Sequence, residues 1–161
     1  MLKQLRIQNF KGWKDTGTIR MASISLFFGA NSSGKSSIGQ FLMMLKQTAE
    51  SPDRRAVFYP GGRNSPVQLG SYREMVFERA PEYHITFEYT WDLGDRLEFK
   101  DVIHGAAYAG HTLAFEADVG LVDEHQHSPV VRRFRYELRE SGDVRLAVGM
   151  RLRPDTRSEY E

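Results

Sequence analysis

Residues 29–36 match the phosphate-binding pattern G-x-x-x-x-G-K-[ST]. The match reads Gly29, Ala30, Asn31, Ser32, Ser33, Gly34, Lys35 and Ser36, and Ser37 follows it. The two glycines let the backbone turn tightly and point N–H groups at anionic oxygens, which a β-carbon would obstruct. Lys35 supplies a cation for the β- and γ-phosphates, and the Ser36 hydroxyl can ligate Mg²⁺. The pattern therefore predicts a site for a nucleoside triphosphate.

The segments on either side of this pattern predict a strand before it and a helix after it. A nearly continuous apolar run precedes it, formed by Ile24, Leu26, Phe27 and Phe28. Such a run is typical of a central parallel strand that is buried on both faces. Apolar residues at helical spacing follow it, namely Ile38, Phe41, Leu42 and Leu45. A helix that starts near Ser36 would direct its unpaired N–H groups and partial positive charge at the same anion.

Length and composition limit the classes of protein to which the chain can belong. The chain has 161 residues, a formal net charge of +1 and no cysteine. The small charge gives no argument for a nucleic-acid surface or a membrane, and the lack of cysteine removes disulfides and thiolate metal sites. Apolar stretches fall short of the roughly 20 residues that a membrane helix needs, and the N-terminus lacks a secretory segment. We expect a cytoplasmic protein without a membrane partner, either one domain or part of something larger.

The chain divides into two parts with different patterning. Residues 1–50 predict two strands, the buried strand, the phosphate loop and the first helix. Residues 51–80 predict an ordered surface loop followed by a short helical segment at 71–77. Residues 81–161 alternate apolar and polar side chains, and this predicts five strands separated by turns at 94–95, 105–110, 128–129 and 141–143. The simplest arrangement of these strands is an antiparallel meander.

Two segments resemble the N-terminus of P-loop ATPases of the ABC type, of the RecF, SMC and OLD (overcoming lysogenization defect) kind. They are residues 28–37 and the segment Leu5-Arg6-Ile7-Gln8-Asn9-Phe10-Lys11-Gly12-Trp13. Residues 67–76 are also similar to a segment that follows the first helix in bacterial AAA-family ATPases related to OLD proteins. The resemblance covers roughly residues 2–79.

The resemblance implies the N-terminal lobe of an ATPase head, with an α/β P-loop fold and an antiparallel β-subdomain. Two such heads pair around ATP and Mg²⁺, and in the OLD-like branch they control a nuclease or other effector in DNA repair or phage defence. By resemblance, residues 29–37 cradle the phosphates, Ser36 touches the metal and Lys35 stabilises charge during hydrolysis. Lys11 would approach the nucleotide, and Gln68 would sense the metal and γ-phosphate. A solvated turn lysine and an ordinary strand-end glutamine are the simpler alternatives for these two.

Other motifs of such an ATPase are not found in the sequence. No segment resembles the LSGGE signature. Residues 119–124 superficially match a Walker B strand ending in the acidic pair Asp123 and Glu124, with His125 and His127 close behind. From residue 113 onwards apolar and polar side chains alternate, and this favours a half-buried strand that runs into a hairpin turn. We prefer the hairpin turn both to a Walker B pair and to a metal cluster. We therefore expect hydrolysis to need segments outside this chain, and the natural protein to be longer.

Arginines are frequent in the C-terminal part, at positions 132, 133, 135, 139, 145, 151 and 153. Arg133, Arg135 and Arg139 would share one face of a regular strand, which raises a DNA-facing sheet as one interpretation. Nearby acidic residues, including Glu137, favour a solvated face instead. Two further functions stay open: a nucleotide-binding regulatory module without turnover of its own, and a small-molecule kinase, for which the meander offers no acceptor-binding lid.

Overall fold

The described strands form one antiparallel sheet. The computed structural model describes residues 1–31, 33–53, 55–80, 82–103, 105–122 and 128–153. Its elements are β1 (Leu2–Phe10), β2 (Trp13–Asp15), β3 (Ile19–Arg20), α1 (Lys35–Glu50), α2 (Tyr72–Met75), a short 3-10 helix (Phe77–Arg79), β4 (Ile85–Lys100), β5 (Ala107–Gly120), β6 (Val130–Glu140) and β7 (Asp143–Arg151). The strand order is β2-β1-β4-β5-β6-β7, and β3 also pairs with β1. Strands β4 to β7 are neighbours in sequence order, so the meander that the alternation predicts is present.

Helix α1 packs on one face of this sheet through its apolar stripe. Ile38, Phe41 and Met44, spaced about one turn apart, are all buried. The ring of Phe41 lies edge-on to those of Phe10 on β1 and Phe87 on β4, with centroid distances of 5.1 Å in both cases. Edge-to-face contacts of this kind add to the stabilisation that burial alone provides. The helix that begins at the phosphate loop is therefore fixed to β1 and β4.

The loop between α1 and α2 is anchored by polar side chains of the helix. Gln47 is only 6% exposed, and its Nε2 donates to the carbonyls of Tyr59 (2.8 Å) and Val67 (3.3 Å). The hydroxyl of Thr48 accepts from the backbone N–H of Tyr59 at 2.8 Å. These contacts give the loop the ordered surface conformation that the sequence predicts. In the described part of the chain, no helix is long and apolar enough to span a bilayer.

The turn predicted at residues 94–95 is wrong, because β4 continues through it. β4 pairs with β5 on both sides of this point, at Asp92↔Thr112 and at Leu97↔Gly110. The register shifts between these pairs, and Gly94 there has a φ of 82°. An irregularity of this kind absorbs extra residues without ending the strand. One 16-residue strand therefore replaces the two shorter strands that the sequence predicts.

The buried parallel strand predicted before the phosphate loop is also not observed. Residues 24–28 belong to no described strand, and the side chains of Ile24, Leu26 and Phe28 are 81%, 73% and 86% exposed. A parallel strand is buried only when strands flank it and helices cover both faces. The described strand pairs are all antiparallel, and the apolar stripe of α1 is already engaged by that sheet. The described residues therefore form mostly antiparallel sheet, and not the α/β P-loop core that the sequence predicts.

Candidate functional site

The phosphate-binding pattern forms a loop whose last residue has a left-handed backbone. Gly34 is the residue before α1 and has φ 84° and ψ 5°. A β-carbon at this position would lie 2.6 Å from Nε1 of Trp13. At the other end of the loop, Gly29 has a φ of 153°, and a β-carbon there would lie 3.1 Å from Oγ of Ser33. Both glycines thus have positive φ angles that residues with a β-carbon rarely adopt, and this favours glycine at both ends of the loop.

The N-terminus of α1 opens towards this loop and carries positive charge. The first turn of the helix contains no acidic residue, and its first residue is Lys35. The backbone N–H of Ser37 donates to the carbonyl of Gly34 at 3.0 Å, and the Ser36 side chain is exposed. The first N–H groups of a helix have no partner within the helix, and with the helix dipole they favour an anion. This arrangement fits a phosphate group, with Ser36 accessible to a bound Mg²⁺.

The ammonium of Lys35 turns back onto the loop. Its Nζ donates to the carbonyls of Gly29 (2.8 Å) and Ala30 (2.5 Å), and Oγ of Ser33 lies 3.5 Å away. The three N–H donors of an ammonium are thereby directed at loop oxygens. Lys35 would have to turn from these carbonyls to contact a β- or γ-phosphate. The loop thus brings Lys35 together with Gly29, Ala30 and Ser33, and phosphate binding by these residues stays a prediction.

The turn after β1 packs against the same loop. The indole Nε1 of Trp13 donates to the carbonyl of Gly34 at 2.9 Å, and a β-carbon on Gly12 would lie 4.0 Å from Cα of Gly34. In the same turn, Lys11 has a φ of 49°, and its N–H donates to the carbonyl of Met75 at 2.7 Å. The structure therefore places the turn that carries Lys11 beside the phosphate loop. The contact of Trp13 with Gly34 was not predicted from the sequence, although Trp13 is the last residue of the segment 5–13 that carries the resemblance.

The family of the chain follows from a match over its N-terminal part. A family model described as AAA ATPase domain matches residues 1–103, which is more than half of the chain. The chain belongs to this AAA ATPase domain family. Neither the curated proteins nor the solved structures gave a match. Membership in this family supports nucleotide binding by an ATPase-like module. It does not distinguish the RecF, SMC and OLD kind from other members of the family.

The described contacts of Lys11 and Gln68 are with residues outside the phosphate loop. Among the described residues, the exposed side chain of Gln68 donates to the carbonyl of Arg63 at 3.1 Å rather than to the phosphate loop. Lys11 contributes to a lowered pKa of Glu74, whose main cause is the hydrogen bonds from Ser71. The roles of Lys11 at the nucleotide and of Gln68 at the metal stay predictions.

Several candidate residues of the chain lie outside the described ranges: Ser32, Asp123, Glu124, His125 and His127. The strands on either side of the acidic pair, β5 and β6, are antiparallel neighbours that end their pairing at Gly120↔Val130. That pairing is the one expected for a hairpin. Within the described ranges, no group of three or more side chains is suited to hold a metal ion.

The arginines that the sequence places on one face of β6 all have carboxylate partners. Arg133 pairs with Glu116 on β5, while Arg135 and Arg139 reach Glu137 at 2.8 Å and 2.5 Å. These ion pairs neutralise much of the positive charge on this face of the sheet. The arrangement favours a solvated face over a surface for DNA, and DNA as a partner stays a prediction.

Proposed function

We propose that this AAA ATPase domain binds ATP with Mg²⁺ and acts as the ATP-binding lobe of an ABC-type ATPase of the RecF, SMC and OLD kind. The observation that carries the proposal is the loop at the start of α1. In this loop Gly34 has a left-handed backbone, the ammonium of Lys35 lies against the loop carbonyls and the Ser36 side chain is exposed. Family membership supports the nucleotide, and the motif supports the assignment of individual residues.

The residues of the loop have separate tasks in this proposal. Backbone N–H groups at the start of α1 bind the phosphate oxygens and orient the chain of phosphates along the loop. Lys35 leaves the carbonyls of Gly29 and Ala30 and holds the β- and γ-phosphates, where it stabilises the charge that develops as water cleaves the bond between them. Ser36 would hold Mg²⁺, which when bound neutralises charge on the same oxygens.

The exposed apolar segment before the loop supports the proposal of a complementary half. Residues 24–28 expose three large apolar side chains almost completely, and this is unusual for a stable surface. We propose that parallel strands of a complementary segment cover them, and that this half supplies the catalytic acid. Two heads would then close around ATP and control an effector such as a nuclease in DNA repair or phage defence, in the cytoplasm.

Replacing Lys35 tests the nucleotide site directly. Lys35→Ala removes the ammonium beside the loop and should lower the affinity for Mg²⁺-ATP at least tenfold in a calorimetric titration. Lys46→Ala is the matched control, because this lysine lies on the same helix, is 63% exposed and pairs with Glu50 at 3.7 Å. Its affinity should equal that of the wild type. Equal affinities for Lys35→Ala and wild type, with both proteins folded by circular dichroism, would refute the site.

A second candidate function is a nucleotide-binding regulatory module without turnover of its own. The observation that favours it is that no segment of the sequence resembles the LSGGE signature that hydrolysis by such an ATPase needs. Phosphate release by the 161-residue chain tests whether this chain carries its own catalytic acid. No release, together with tight ATP binding, supports the regulatory module or a missing half. Steady release that is lost in Glu124→Gln would instead assign a catalytic role to the acidic pair.

A further inference from the structure

Trp13 connects the phosphate loop to the sheet and its core. It is the first residue of β2 and lies opposite Phe10 of β1 in the strand pairing. Its partly buried ring packs against the core, and its Nε1 donates to the carbonyl of Gly34 at 2.9 Å. Phe10 in turn contacts Phe41 of α1, with ring centroids 5.1 Å apart. The donor of this hydrogen bond is therefore held by the sheet, while the acceptor belongs to the phosphate loop.

The hydrogen bond from Trp13 fixes the plane of the peptide between Gly34 and Lys35. The same carbonyl oxygen accepts from the N–H of Ser37 at 3.0 Å, but Ser37 lies in the first turn of α1 and moves with the helix. The indole bond instead ties the carbonyl to β2. In a trans peptide the C=O and N–H bonds point in opposite directions. The indole thus sets the direction of the Lys35 N–H, which points away from Trp13.

The N–H of Lys35 is the first backbone donor of α1. The first N–H groups of a helix have no partner within the helix, and they bind an anion when they point at it. The residue before this donor is Gly34, and glycine adopts positive and negative φ about equally well. Without an anchor, the peptide between the two residues can turn and direct this donor elsewhere. The indole bond therefore keeps the donor in one orientation before any ligand arrives.

We propose that Trp13 is a positioning residue for the triphosphate, whose indole N–H holds the peptide between Gly34 and Lys35 so that the Lys35 N–H points at a phosphate oxygen. This role rests on the proposed ATP site and adds to it a residue outside the motif. Trp13 acts through Gly34, without touching the nucleotide. Loss of the bond lowers the fraction of molecules with the peptide in the binding orientation, and the apparent affinity falls with that fraction.

Calorimetric titration of Mg²⁺-ATP into the full chain tests this role. Trp13→Phe keeps an aromatic ring but loses the N–H, and its affinity should be roughly three- to fivefold below that of the wild type. Trp91→Phe is the matched control, because Trp91 is the other tryptophan of the chain, is also partly buried and packs against Tyr89 of β4. This control should bind ATP as the wild type does. Equal affinities for Trp13→Phe and the wild type would overturn the role.

A second replacement separates the N–H from the ring. Benzothienylalanine at position 13 carries a sulfur in place of the indole N–H and fills nearly the same space. Its affinity for Mg²⁺-ATP should fall as in Trp13→Phe. The titrations are made well below the melting temperature of each variant, where a loss of fold stability alone leaves the affinity unchanged. Wild-type affinity with benzothienylalanine would assign the loss in Trp13→Phe to packing and would overturn the positioning role.

Inorganic triphosphate with Mg²⁺ shows which part of the nucleotide is affected. Because the Lys35 N–H points at a phosphate oxygen, the loss in Trp13→Phe should be the same for triphosphate as for ATP. A loss with ATP alone would assign Trp13 to the base and overturn the positioning role.

Lys35→Ala in the same titrations distinguishes this proposal from the ATP site itself. Equal ATP affinities for Lys35→Ala and the wild type would overturn the site, and the role of Trp13 with it. Weak binding by Lys35→Ala, together with wild-type binding by both Trp13 variants, would overturn the role of Trp13 alone.

Discussion

Substituting Gly34 with alanine should destabilise the domain by about 2–3 kcal/mol. The left-handed backbone at φ 84° costs an L-residue about 1–2 kcal/mol. The new β-carbon would also lie 2.6 Å from Nε1 of Trp13, so the indole must move. Its hydrogen bond to the Gly34 carbonyl, 2.9 Å long, is then lost, and such a bond contributes about 1 kcal/mol.

Urea denaturation followed by circular dichroism measures this change. With a denaturant dependence of about 1–3 kcal/mol per molar urea, the midpoint should fall by roughly 1–2 M. Gly39→Ala is the matched control, because Gly39 lies in α1 and a β-carbon added there would meet no heavy atom within 4 Å outside its own helix turn. That change should stabilise the helix by about 0.5–1 kcal/mol.

The two glycine substitutions therefore have opposite signs. A Gly34→Ala protein as stable as the wild type would mean that the loop does not have the described left-handed turn against Trp13. A destabilised Gly39→Ala protein would mean that alanine is poorly tolerated along α1 in general, and the loss at Gly34 could then not be assigned to its backbone.

Three further predictions concern the core and pH. Phe41→Ala should lower the free energy of unfolding, measured by urea denaturation, by about 3–5 kcal/mol, because Phe41 is fully buried against Phe10 and Phe87. Phe99→Ala is the control: this side chain is 46% exposed, and its loss should change stability by less than about 0.5 kcal/mol. Burial raises the pKa of Tyr72 to about 12, so the folded state keeps this proton more tightly than the unfolded chain; stability should fall as pH rises above about 10, and less steeply in Tyr72→Phe. The Arg6 guanidinium, bonded to Asp15 at 2.6 Å, holds the pKa of that carboxyl well below its usual range. Stability should therefore fall as pH drops below about 4, and Arg6→Met should show a weaker dependence in the same pH titration of unfolding.

The sequence predicts α1 and the meander because local periodicity decides both. The apolar residues of α1 recur at helical spacing, and alternation is regular over most of each strand from β4 to β7, although the register shifts once within each strand pair. The same reasoning fails at residues 94–95, where glycine followed by aspartate suits either a turn or an irregularity inside a strand. Only the pairing with β5 distinguishes them, and this depends on residues far along the chain.

The residue types and spacing of the phosphate loop predict the loop itself. They do not predict which parts of the chain pack around it. An apolar run such as residues 24–28 indicates that something should cover it, without indicating whether the described residues supply the cover. The contact between Trp13 and Gly34 joins positions 21 residues apart, and no local pattern encodes it. Gln68 was assigned from a resemblance, whereas its observed hydrogen bond to Arg63 depends on how the loop before α2 folds.

The pairing of β1 with β4 has a consequence for the order in which the chain assembles. Arg6 and Glu88, an ion pair across these strands, are 82 positions apart, whereas β6 and β7 are joined by a two-residue connection at Ser141 and Gly142. Closing the longer loop has the higher entropic cost, so the hairpins of the meander can form early and β1 docks late. Trp13 begins β2 and is separated from β1 only by Lys11 and Gly12, so the phosphate loop that it contacts acquires its fixed shape only in the last stage of folding.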